Sequence, residues 1–163
     1  MNLFVLPYQS DNFYTCPDTA IVREKDSPDG NFKYWVPDGI ETLRAIRFAY
    51  VRIDRAGKCI REEYAHRHYK TCGWGVHLST YDVNEGNTLD SSIFLSDPTT
   101  IGDNGPYEGF EAFDSALERV SKYMSLRSGD LVLLELEDIE AYEIEPDRTQ
   151  GLSCDQIKID IIS

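Results

Sequence analysis

The sequence predicts an α+β fold dominated by sheet, and three observations carry that prediction. Short apolar or alternating segments are separated by chain-reversing residues, helical periodicity occurs only twice, and the helices do not alternate regularly with strands as a doubly wound sheet requires. At 163 residues the chain has the length of one domain, so a single domain over 1–163 is expected. Its 41% hydrophobic and 12% aromatic content is enough apolar surface to offset chain entropy, which excludes an intrinsically disordered chain.

The elements follow in order. Pro28-Asp29-Gly30, Pro37-Asp38-Gly39 and the run from Gly102 to Pro106 mark turns. Ile46 to Ile53 (IRFAYVRI) is rich in β-branched and aromatic residues, with Ile46, Phe48 and Tyr50 on one face and Arg47, Ala49 and Val51 on the other. It reads as a strand covered on one face and partly on the other. A helix is expected over 62–71, and Gly73-Trp74-Gly75 reads as a close approach to a neighbouring strand. A second helix is expected over 115–124, where Ser115 and Glu118 match a capping box and Ala116, Leu117, Val120, Tyr123 and Met124 share a face. Ser128-Gly129-Asp130 then turns the chain into strands over 131–137, 139–145 and 156–162.

Charge narrows the function. The net charge is −13, and it is uneven: residues 1–80 hold 11 Lys/Arg against 10 Asp/Glu, the remainder 5 against 19. Such a chain repels a phosphate backbone, so no nucleic-acid partner is expected. No apolar run approaches the ~18 residues of a membrane span, and the N-terminal MNLFVLPYQSDN has no basic region followed by a long apolar stretch. No membrane association and a cytoplasmic location are expected. The four cysteines, Cys16, Cys59, Cys72 and Cys154, are far apart and read as reduced thiols.

Site motifs are sparse. All three histidines, His66, His68 and His77, lie in YAHRHYKTCGWGVH (64–77) beside Cys72, but ligand pairs on a helix need i,i+3 or i,i+4 spacing. They read as surface or capping histidines. Glu135, Glu137, Asp138, Glu140, Glu143, Glu145 and Asp147 suit a hard cation or an acid/base pair in type, yet their alternation with apolar residues is that of a strand's solvated face. Phosphate-binding glycine loops and the nucleophile-elbow motif are absent from the sequence.

Taken together, Cys16-Pro17-Asp18-Thr19-Ala20, Trp35-Val36-Pro37-Asp38-Gly39, VRIDRAGKCI (51–60), EEYAHRHY (62–69), GVHLSTYD (75–82) and VSKYMSLRSGDLVLL (120–134) resemble the fumarylacetoacetate hydrolase superfamily from about Asn12 onward. The resemblance implies a β-rich roll of mixed sheets, as in that family's C-terminal domain, with two short helices and commonly dimeric. It also implies hydrolysis, decarboxylation or tautomerisation of oxo-acids with Mg²⁺ or Mn²⁺ held by a Glu-x-Glu pair and an Asp. A hard cation held by oxygens polarises the oxo-acid and stabilises a developing enolate.

At the working positions the resemblance puts other residues. The two metal glutamates fall at Ile46 and Phe48, and the third ligand at His77. The arginine of the Ser/Thr-Ala-Arg-Asp run falls at Tyr81, with Asp82 kept; the family lysine falls at Asn87, ahead of Thr88-Leu89-Asp90. The Thr-Gly-Thr-Pro loop falls on Leu134-Glu135-Leu136-Glu137, and only Leu6 to Ser10 precede the matched region where the family has its general-base loop. The expectation is therefore a protein with no cofactor, no metal site and no catalytic residues, retained for binding or assembly as a homodimer or a dimer with an active relative. The alternative is an enzyme acting on small oxo-acids with a remodelled site around His77, Asp82 and Asp90.

Overall fold

Four consecutive apolar residues, Leu3 to Leu6, make a strand that is buried along its whole length, as a strand covered on both faces must be. The computed structural model describes residues 1–8, 10–22, 31–80, 89–101 and 111–163. In chain order these form β1 (Leu3–Leu6), β2 (Tyr14–Cys16), a 3₁₀ turn (Asp18–Ala20), β3 (Ile21–Val22), β4 (Phe32–Trp35) and β5 (Thr42–Ile53). A second 3₁₀ helix (Glu62–His68), β6 (Tyr69–Ser79), β7 (Ile93–Leu95), β8 (Thr99–Thr100), α1 (Glu111–Ser121), β9 (Leu131–Glu143), β10 (Thr149–Cys154) and β11 (Ile157–Ile162) follow. The packing divides into two units, and β5, β6 and β9 each run from one into the other.

The first unit comprises Met1–Asp18, Ala49–Gly73 and Asp97–Glu135. In it β1 pairs antiparallel with β2 and parallel with the start of β9, Leu3 opposite Leu131. Helix α1 buries Phe113, Ala116, Leu117 and Val120, a stripe at helical spacing. The turn before β9 is held by one side chain: Asp130 is buried, its Oδ2 accepts the Arg127 N–H at 2.8 Å and its Oδ1 the Asn2 N–H at 2.9 Å. Gly129 supplies the positive φ of +94° that this turn needs.

The second unit comprises Thr19–Phe48, Trp74–Ser96 and Leu136–Ser163. Here β7 lies between β3, parallel to it, and β6, antiparallel to it, while a three-stranded sheet runs in the order β10, β11, β4. Its core is apolar and aromatic: Phe94 meets Phe32 edge-on with centroids 5.3 Å apart, and Tyr34 at 6.4 Å. The parallel pairs β1/β9, β3/β7 and β4/β11 beside antiparallel ones make the sheets mixed, and the expected α+β class is found.

Several sequence expectations shift. The segment expected as a helix over 62–71 is a 3₁₀ helix ending at His68, because Tyr69 turns to extended φ −140°, ψ 147° and starts β6. Only Ala65 of that helix is buried, too little apolar stripe to sustain an α-helix. Helix α1 already includes Glu111, so Ser115 lies inside it rather than at its N-cap; Glu118 instead accepts the Glu62 N–H at 2.6 Å. Tyr123 and Met124 fall beyond Ser121 and are exposed rather than on the buried face. The strands expected over 131–137 and 139–145 are one strand, β9, continuous through Asp138.

Candidate functional site

The positions assigned by resemblance to the metal ligands all lie in the second unit. Strand β5 alternates so that Ile46 and Phe48 point the same way, and both are fully buried, at 1% and 0% exposure. The Phe48 ring lies against Gly75 of β6. A Cβ placed there would collide with the Phe48 ring and lie 2.7 Å from the Phe94 carbonyl oxygen. The ring therefore takes the space that a side chain at residue 75 would need. In the first unit Tyr50 stands in the same way over Gly73, its hydroxyl 2.7 Å from where a Cβ would be, and burial pushes the Tyr50 phenol up to about 12.

His77 is neither the surface nor the capping histidine expected: it is 1% exposed, inside β6, in register with Ile93 of β7. His66 is exposed, and His68 is half-buried with Nδ1 2.8 Å from the Arg55 carbonyl. Asp90 is exposed and its Oδ1 accepts the Thr19 hydroxyl at 3.0 Å. The alternative set is thus divided between core and surface for His77 and Asp90, while Asp82, Tyr81 and Asn87 lie outside the described residues.

The other face of β5 carries a group that sequence reasoning missed. The Arg47 guanidinium lies 4.4 Å from the centroid of the Trp74 ring, its Nε bonds the Asp155 Oδ2 at 2.5 Å, and Glu137 is 3.7 Å away. The bond to Arg47 holds the Asp155 carboxyl below its ordinary range and raises Arg47 in turn. Burial, then the Asp155 charge, pushes the Cys154 thiol up to about 11. Asp155 and Gln156, both at positive φ (47° and 69°), form the two-residue turn between β10 and β11, so Arg47 anchors a strained hairpin. All four cysteines are free.

Ile46 and Phe48 have no donor atom for Mg²⁺ or Mn²⁺, so the residues present do not fit the metal that the resemblance implies. Among the described residues no group of three or more His, Cys, Asp or Glu is placed to hold a metal ion. The carboxylates of β9 are mostly solvated, with Glu137 and Asp138 serving Arg47 and Arg44 at 3.7 Å each. Asp138, Glu140, Arg44 and Thr80 border a cavity of about 480 Å³ in the second unit. In the first unit a larger cleft of about 980 Å³ lies against α1.

No protein-family model matches the sequence, and no curated protein does. Solved structures do. Fumarylpyruvate hydrolase from Pseudomonas aeruginosa, in complex with Mn²⁺ and pyruvate, matches 99% of this chain and 89% of its own, with a TM-score of 0.79 at 13% identity. Maleylpyruvate hydrolase from Sphingobium sp. SYK-6 matches 99% and 70% at TM-score 0.73 and 12% identity. A 2-hydroxyhepta-2,4-diene-1,7-dioate isomerase from Mycobacterium marinum matches 99% and 74% at TM-score 0.72 and 14% identity. The fold is that of the fumarylacetoacetate hydrolase superfamily. At such identities the likeness concerns the fumarylacetoacetate hydrolase fold and not its chemistry, which has to be argued from the residues at the site.

Proposed function

We propose that this chain is a fumarylacetoacetate hydrolase-fold protein without the metal-dependent oxo-acid chemistry, retained as a binding or assembly protein. One observation supports this above others: the Phe48 ring fills the space against Gly75 at a position where the resemblance places a metal glutamate. Burying Ile46 and Phe48 contributes about 1.5–3 kcal/mol each, so the filled position favours folding where a carboxylate ligand would have needed a cation beside it. Continuous strand at 134–137, in place of a substrate-receiving loop, supports the same reading.

The reaction test uses fumarylpyruvate with Mn²⁺ and follows release of pyruvate. Release no faster than in a protein-free control is expected; saturable release would overturn the proposal. The assembly part adds a homodimer, or a dimer with an active relative. A sedimentation coefficient that rises with concentration is expected, and a concentration-independent monomer, alone and mixed with an active enzyme of this fold, would contradict it. The excess of carboxylates after residue 80 favours a basic partner over an acidic one.

A further inference from the structure

The cleft of the first unit lies between α1 and the segment Cys59–His66. Its α1 wall bears Asp114, Glu118 and Lys122, spaced i, i+4, i+8; the charged residues of the segment 59–66 that line it are Arg61, Glu62, Glu63 and His66. Lys122 keeps the helical register, its N–H bonding the Glu118 carbonyl at 3.2 Å. The α1 wall therefore runs acid, acid, base over about 12 Å at 1.5 Å per residue.

The acid end is unusual. Asp114 is 8% exposed, yet its one hydrogen bond among the described residues comes from the Tyr69 hydroxyl, at 2.8 Å to Oδ1. Among those residues neither Asp114 nor Glu118 forms an ion pair, and neither do Lys122, Arg61 and His66. A buried carboxylate without a counter-charge is costly, and this one borders a cleft wide enough for a small molecule. The walls are fixed: the Ile60 N–H bonds the Ser121 hydroxyl at 2.9 Å, the Cys59 N–H the Ser121 carbonyl at 2.8 Å, and Glu118 holds the Glu62 N–H.

We propose that this cleft binds a small zwitterion, with an ammonium group at Asp114 and Glu118 and a carboxylate group at Lys122 and Arg61. Charge-assisted hydrogen bonds at both ends orient the ligand along α1, and an ω-amino acid of four or five carbons spans the step from Glu118 to Lys122. The inference stands apart from the state of Phe48 and draws on none of the residues argued there.

The test is titration of the intact protein, followed by amide chemical shifts and calorimetry, with 5-aminopentanoate, pentylamine and pentanoate as probes. Saturable binding of 5-aminopentanoate in the millimolar range or tighter is expected, with pentylamine weaker and pentanoate weakest. Asp114→Asn, which keeps the Oδ1 acceptor for Tyr69, should weaken 5-aminopentanoate at least tenfold; Glu118→Gln and Lys122→Met should each weaken it several-fold. No saturable binding, equal binding of pentanoate, or unchanged affinity in Asp114→Asn would overturn the proposal. Should Asp114→Asn fail to fold, the Glu118→Gln and Lys122→Met affinities decide by the same criterion.

Discussion

In the second unit, position 46 of β5 carries buried hydrocarbon and position 48 an aromatic ring packed down onto Gly75. The first unit, by contrast, keeps two carboxylates, Asp114 and Asp130, less than a tenth exposed. Asp130 has both oxygens occupied by backbone N–H groups and so belongs to the architecture, whereas Asp114 has a cleft beside it. Fold and chemistry therefore separate within one chain. Where the resemblance expects ligating carboxylates there is packing, and a buried acidic side chain, Asp114, is found at a position outside the segments that carry the resemblance.

The largest effect should come from Phe48→Ala, which leaves a cavity above Gly75 and should destabilise by about 3–5 kcal/mol in chemical unfolding. Gly75→Ala should cost about 1–3 kcal/mol, because the added methyl meets the same ring and the Phe94 carbonyl. The double variant sharpens the comparison. If the ring fills that space, the two changes are less than additive; simple additivity would mean that they do not share it. On the other side, Asp130→Ala strands the Asn2 and Arg127 N–H groups and should lose about 1–3 kcal/mol, while a loss within experimental error would show that the turn needs no carboxylate.

Smaller effects test how dry the second unit is. The Tyr34 hydroxyl is buried with no hydrogen-bond partner among the described residues, and burial raises its phenol to about 12. Tyr34→Phe should leave stability unchanged or raise it by up to about 1 kcal/mol; a clear loss would reveal a hidden partner. Smallest is the pH dependence of the Arg47–Asp155 bond. Since Asp155 is held below its unfolded value, its contribution is present above about pH 4 and fades as pH falls through the folded value. The stability gap between wild type and Asp155→Asn, a few tenths to about 1 kcal/mol at neutral pH, should close on acidification; a gap that widens would reverse the sign of this account.

Strand β5 was legible because its alternation is a local property of eight residues, and Gly73-Trp74-Gly75 announced a close approach without naming the rings that make it. Other features were hidden by distance along the chain. Asp114 and Tyr69 are 45 residues apart and Arg47 and Asp155 108, so neither the cleft nor the hairpin anchor leaves a local motif. The β10–β11 turn went unread because Asp155-Gln156 adopts positive φ without glycine, an arrangement that Arg47 sustains from outside the hairpin. The capping box matched in letters only: Glu118 was already committed to the backbone of another element.

The central claim, that packing has replaced a metal centre at Ile46 and Phe48, is tested most directly by thermal unfolding with chelator and then with excess Mg²⁺, Mn²⁺ or Zn²⁺. A ligand at ~100 times its Kd adds about 2.7 kcal/mol to the folded state, which at ~2–4 °C per kcal/mol moves Tm by several degrees. The account predicts that none of the three ions moves the midpoint. A rise of several degrees with Mg²⁺ or Mn²⁺, persisting in Asp114→Asn and lost on mutating the residues around Phe48, would contradict it.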